Sequence, residues 1–179
     1  HRISLRDSLL RCFNAIASNE PTRIVVDFAP SCWAALICFF LMTDGYDGYN
    51  ALVRSEAIEH QACMVHARRG FIEAKAVQPK GKTGRADLVL KLIAKLYKIE
   101  KRYKDASDSE RFLARCQEAI PILKQLRKML NQYLIQVTPK SALGKAVAYM
   151  HKYWPRLMRY AEWGYLPIDN NQAENAIRP

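Results

Sequence analysis

Three observations predict an α/β fold for this chain of 179 residues. Short apolar and β-branched runs bounded by turn residues crowd residues 23–66, as strands do. From Arg85 to Trp163 apolar residues recur at spacings of three and four, the mark of helices, with no strand pattern between them. A polar, carboxamide-rich segment then follows the apolar turn Tyr165-Leu166-Pro167-Ile168. Half of the residues are apolar, enough to bury a core in one or two domains.

Taken in order, residues His1 to Glu20 spell an amphipathic helix through Leu5, Leu9, Leu10, Phe13 and Ile16, which Pro21 closes. Ile24-Val25-Val26, within Arg23–Phe28, reads as a strand. The apolar run Leu36 to Met42 reads as a second strand, near Leu36–Thr43, whose tip delivers Asp44 into an Asp-Gly turn. Asn50 to Glu59 is expected to be helical, Gln61 to His66 a third strand, and Ala67 to Ala76 a helix bearing Arg68 and Arg69. Gln78 to Gly84, with one proline, two glycines, Lys80 and Lys82, reads as a basic linker.

Beyond it, Ala86 to Tyr103 places Val89, Leu92, Ile93, Leu96 and Ile99 on one stripe. Ser109 to Tyr133 is a second helix, which Pro121 must start, kink or split. Thr138-Pro139-Lys140 breaks the pattern, and Ser141 begins a third long helix through Trp154 to about Trp163, with both tryptophans read as core. At the end, Asp169 or Asn170 caps a helix start. Helical spacing then sets Asn170, Glu174 and Arg178 on one face while Ala173, Ala176 and Ile177 pack inward.

The charge of +11, from 28 Lys and Arg against 17 Asp and Glu, favours a polyanionic partner through counterion release and long-range steering. Nucleic acid and anionic membrane surfaces both satisfy that bias. Five scattered cysteines (Cys12, Cys32, Cys38, Cys63, Cys116) form no Cys-x-x-Cys pair, so the expected compartment is a reducing cytoplasm. The run Cys32–Met42 falls short of the ~20 residues a membrane span needs, and no membrane partner is expected.

Some local signals keep two readings. Asp44 is either a catalytic carboxylate at a strand tip or a plain Asp-Gly turn. Cys63 and His66 have the spacing of half a metal site, or are a packed thiol and a hydrogen-bonded imidazole. Arg68 and Arg69 either fork onto phosphates or coat a solvated helix face. Tyr46 and Tyr49 either stack on bases or pack under the strand tip, and Asp47 is a spare ligand or a turn residue.

Four motifs change the weighing. Thr43-Asp44-Gly45-Tyr46-x-Gly48-Tyr49-Asn50, Cys63-x-x-His66-Ala67-Arg68-Arg69, Ser141-Ala142-Leu143-Gly144-Lys145-Ala146 and Pro167-Ile168-Asp169-Asn170-Asn171-x-Ala173-Glu174-x-Ala176-Ile177-Arg178-Pro179 follow one another in this order. Together they resemble the transposase of the insertion sequence 66 family, a DDE-type bacterial DNA transposase, from about Arg23 to Pro179. The resemblance implies a ribonuclease-H-like sheet core interrupted by a large all-helical insertion. It divides the chain into a partial core (1–77), the insertion (78–163) and the start of the catalytic Glu helix (164–179).

It also implies that Asp44 and Glu174 are catalytic metal ligands, holding two Mg2+ or Mn2+ ions. Such ions, held by clustered carboxylates, suit the in-line chemistry of DNA strand cleavage and transfer. The partners implied are transposon-end and target DNA, met by His66, Arg68, Arg69, Lys80, Lys82 and Arg178, together with other transposase subunits. The family's first aspartate is not found in residues 1–22, and Asp27 aligns with a strand that is not catalytic there. The chain therefore reads as a fragment or a decayed copy. The alternative is a non-catalytic DNA-binding or assembly module derived from a transposase.

Overall fold

The computed structural model describes residues 39–43, 58–78 and 83–171. Two strands, β1 (Phe39–Thr43) and β2 (Ile58–Ala62), pair in parallel, with Phe39 opposite Ile58 and Thr43 opposite Ala62. A parallel pair places both carboxyl ends at the same edge, here Thr43 and Ala62. Helix α1 (Met64–Ala76) follows after a single residue, Cys63, whose backbone is still extended (φ −82°, ψ 125°).

The remaining described elements are helical: α2 (Arg85–Arg102), α3 (Asp108–Ala114), a π turn (Arg115–Ala119), α4 (Ile120–Gln136), α5 (Ala142–Lys152), α6 (Trp154–Met158) and a 3-10 turn (Arg159–Glu162). The expected stripe on α2 is buried as read, with Ala86, Val89, Leu92, Ile93, Leu96 and Ile99 turned inward. Against it lie Leu123, Leu126 and Leu130 of α4 and Phe71 of α1. One hydrophobic cluster runs from Ala62 through these helices to Leu166 and Ile168.

Local chemistry explains the breaks. Ser107 begins α3 with a reciprocal capping box: its hydroxyl accepts from the Glu110 amide, and its own amide donates to Glu110 Oε2 at 2.9 Å. Pro121 stands in the first turn of α4, the start position among the outcomes expected for it. The π turn directly before it widens the backbone where the proline ring would meet a carbonyl and where its missing N–H leaves one unpaired. The third long helix does break, at Tyr153, because Pro155 has no N–H to carry the ladder on to His151 and instead stands in the first turn of α6.

Helix α5 opens on Ser141, whose hydroxyl accepts from the Gly144 amide at 3.0 Å and donates to the Thr138 carbonyl at 2.7 Å. A Cβ at Gly144 would collide with that same Thr138 carbonyl, so only glycine fits. The Ser141–Ala146 motif is thus a helix start and a packing surface, with Ala146 set close against Gly70 of α1.

Several expectations are corrected. The ribonuclease-H-like α/β sheet core is not what the described residues build: they are mostly helical, and their sheet is the two-stranded β1–β2 pair alone. The third strand does not run Gln61–His66. It begins at Ile58 and stops at Ala62, because Met64, Ala67, Phe71 and Ala74 form a helical stripe that draws the chain into α1. Ile58 and Glu59, expected in a helix, therefore belong to β2. Trp163 is 39% exposed, while Trp154 packs at the core's margin with the Arg127 guanidinium 5.4 Å from its ring centroid. The readings for residues 1–38, including the strand Arg23–Phe28, lie outside the described residues.

Candidate functional site at the junction of β2 and α1

The closing segment of the chain returns to the place where β2 becomes α1. Gln61, buried near the end of β2, donates through Nε2 to the Pro167 carbonyl at 2.5 Å. The Met64 amide, unpaired within its own helix because it opens the first turn, donates to the Ile168 carbonyl at 3.2 Å. The Cys63 thiol donates to Asn170 Oδ1 at 2.9 Å. Asp169 accepts the Asn171 amide at 3.0 Å, the short-range capping expected at a helix start.

Tyr97 on α2 completes the arrangement. Its hydroxyl is buried, has no partner in full hydrogen-bond geometry, and interacts with the Asp169 carboxylate. Burial first, and that carboxylate next, push the phenol far above its ordinary range. Burial likewise raises the Cys63 thiol, only partly offset by the backbone amides of Asn170, His66 and Val65, so the sulfur stays a protonated donor. Two of the four motifs are thereby joined side by side, although about a hundred residues separate them in sequence.

The candidate residues fall into two groups. Among the described ones, His66 is not at a strand end; it is the third residue of α1 and is half-buried. Arg68 and Arg69 are exposed on α1 and form no ion pair among the described residues; Arg68 lies close enough to Tyr97 to influence its phenol. Lys91, Lys95 and Lys98 add exposed charge on α2 at i, i+4 and i+7. Asp44, Glu174, Lys80, Lys82 and Arg178 lie outside the described residues, as do Tyr46, Asp47 and Tyr49. Among the described residues no group of three or more His, Cys, Asp or Glu is placed to hold a metal ion. No described helix is long and apolar enough to cross a membrane.

Sequence reasoning missed Gln61, Tyr97 and Arg115. Arg115 is 1% exposed, yet every arm of its guanidinium is engaged. Nε and Nη2 fork onto Glu100 at 2.9 and 2.6 Å, while Nη1 donates to the Tyr160 and Trp163 carbonyls. The π turn swings this side chain inward, between α2 and the 3-10 turn. A cation within the apolar run Leu113-Ala114-Arg115-Cys116 was the available signal, since a buried arginine demands an acid.

Residues 21–179 match the Transposase IS66 family. The uncharacterized protein y4jD of Sinorhizobium fredii (strain NBRC 101917 / NGR234) is 28% identical over 144 residues, covering 77% of this chain and 28% of that protein. Two more uncharacterized proteins of the same organism, y4hP and y4qI, are 24% and 26% identical over 151 and 146 residues. They cover 77% and 78% of this chain, and 27% and 26% of their own lengths. The chain thus spans about a quarter of the length of these relatives. No solved structure matches it. Since the family match extends across β1, the junction and the closing segment, the chain belongs to the Transposase IS66 family.

Proposed function

We propose that this chain is the part of a DNA transposase that brings Asp44 and Glu174 to one site for metal-dependent strand cleavage and transfer. The observation that carries the reading is the docking of Pro167–Asn170 at the shared carboxyl edge of β1 and β2. Asp44 follows Thr43, the partner of Ala62, directly in sequence. Glu174 follows Asn171, the neighbour of the docked Asn170, by three residues. Their places in the sequence, next to the strand edge and to the docked segment, support reading the two carboxylates as one site.

The donor set fits the ions the family suggests, because Asp and Glu offer the hard oxygens that magnesium and manganese prefer. Held by Asp44 and Glu174, with a further carboxylate from elsewhere in the longer protein, such ions would supply charge stabilisation for an in-line attack on phosphorus. The chain's own part is to fix the two carboxylates and to seat the DNA backbone. Arg68 and Arg69 are exposed close to the junction, as a phosphate-binding fork requires, and Lys91, Lys95 and Lys98 extend the positive surface along α2. The 78–163 helices serve this arrangement as its support, and other transposase subunits as its partners.

The test is cleavage of labelled duplex DNA carrying the element's ends, by the longer protein that contains this chain, in Mg2+ and in Mn2+. Glu174→Gln and Asp44→Asn should each lower the rate by about a hundredfold or more with folding unchanged. Wild-type rates in the Glu174→Gln protein would contradict the assignment.

A further inference from the structure

We infer that Cys63 and Tyr97 are positioning residues for Glu174, holding from two sides the Asp169–Asn170 pair from which the chain continues to it; this rests on the transposase reading above. Cys63 is fully buried at the turn between β2 and α1 and spends its one donor on Asn170 Oδ1. Tyr97, from the middle of α2, sets its buried hydroxyl against the neighbouring Asp169.

The pair has little freedom left. Pro167 and Ile168, directly before it, are tied by their carbonyls to Gln61 and Met64, and Ile168 is buried in the common core. Asp169 in turn holds the Asn171 amide. The first described turn toward Glu174 is thus anchored to both the strand edge and the helical layer, and neither anchor requires a charge on the cysteine or the tyrosine. A catalytic carboxylate displaced by about 1 Å loses much of its effect, so an anchor five residues upstream matters to the reaction without touching it.

The experiment combines amide hydrogen exchange with metal-dependent cleavage on the longer protein. In Cys63→Ala and Tyr97→Phe the Met64 and Asn171 amides should exchange about tenfold faster, while amides of α4 keep their wild-type protection. Cys63→Ser, which keeps a donor, should restore most of the protection. In cleavage assays both variants should need about tenfold more Mn2+ for half-maximal rate yet approach the wild-type rate at saturation, a split that general loss of stability would not produce. Unchanged exchange at both amides in both variants would overturn the inference. An equal fall in rate at all Mn2+ concentrations would do the same. If the wild-type protein fails to cleave in any metal, the transposase reading falls, while the exchange data still decide whether Cys63 and Tyr97 hold this segment.

Discussion

Around Arg115 the decisive contacts join neighbouring elements. Glu100 lies on α2, Tyr160 on the 3-10 turn and Trp163 directly after it, 15, 45 and 48 residues from Arg115, and the leucines of α2 and α4 belong to the same core. At the junction, by contrast, Gln61 and Cys63 reach Pro167 and Asn170, residues from the far end of the chain, and the contacts are hydrogen bonds more than apolar burial. Both regions share one hydrophobic core, but the first is centred on a buried ion pair and the second on neutral hydrogen bonds. On the proposed function, the first keeps the molecule folded and the second aims its chemistry.

The comparison can be broken first at the scaffold. Arg115→Met should cost about 3–5 kcal/mol, read as a fall in the urea midpoint, because Glu100 is left with an uncompensated charge. Adding Glu100→Leu should recover much of that loss, since an apolar pair replaces a buried ion pair at little cost. A loss under 1 kcal/mol from Arg115→Met alone would mean the guanidinium is not the scaffold's central tie. Leu126→Ala should cost about 2–5 kcal/mol by leaving a cavity between α4 and α2. Ser141→Ala, which removes only the α5 cap, should cost about 1 kcal/mol.

Two further changes sharpen the contrast at the other region. His60 on β2 is buried, and burial first and Arg156 next lower its pKa. The unfolded chain therefore binds more protons as pH falls, so this contribution to stability is present above about pH 6.5 and is lost below it. His60→Gln should flatten the fall in midpoint between about pH 7 and 5. The smallest effect on stability is expected from Arg68→Ala with Arg69→Ala, both exposed: within about 0.5 kcal/mol. The same double variant should nevertheless weaken duplex DNA binding on unrelated sequences and shallow its salt dependence, as lost phosphate contacts do. Unaltered binding would remove these arginines from the interface.

What the sequence made legible follows the same divide. The α2 stripe and the Ser141 helix start are local patterns, and periodicity or a side-chain oxygen reveals them directly. The end of β2 was misplaced because Cys63 to His66 is apolar enough to continue a strand, and only the packing of Met64, Ala67 and Phe71 turns it into helix. Pro121 starts α4, one of the three outcomes its position allowed, but the π turn before it is not written in composition. At the candidate site, the motifs holding Cys63 and Asn170 were recognised, but their contact was not, since no spacing rule links residues a hundred positions apart. Tyr97 gave no signal at all: in sequence it is one aromatic on an amphipathic helix.

The central claim, that the junction gathers Asp44 and Glu174 around bound metal, is tested most directly by iron-directed backbone cleavage. Fe2+ placed in the metal site of the longer protein, with ascorbate and peroxide, cuts the nearby backbone. The account predicts cuts clustered near residue 44, near Ala62–Met64 and between Ile168 and Glu174, all competed away by Mg2+ and lost together in Glu174→Gln. Cuts near only one of these segments, or a pattern unchanged by Glu174→Gln, would contradict it.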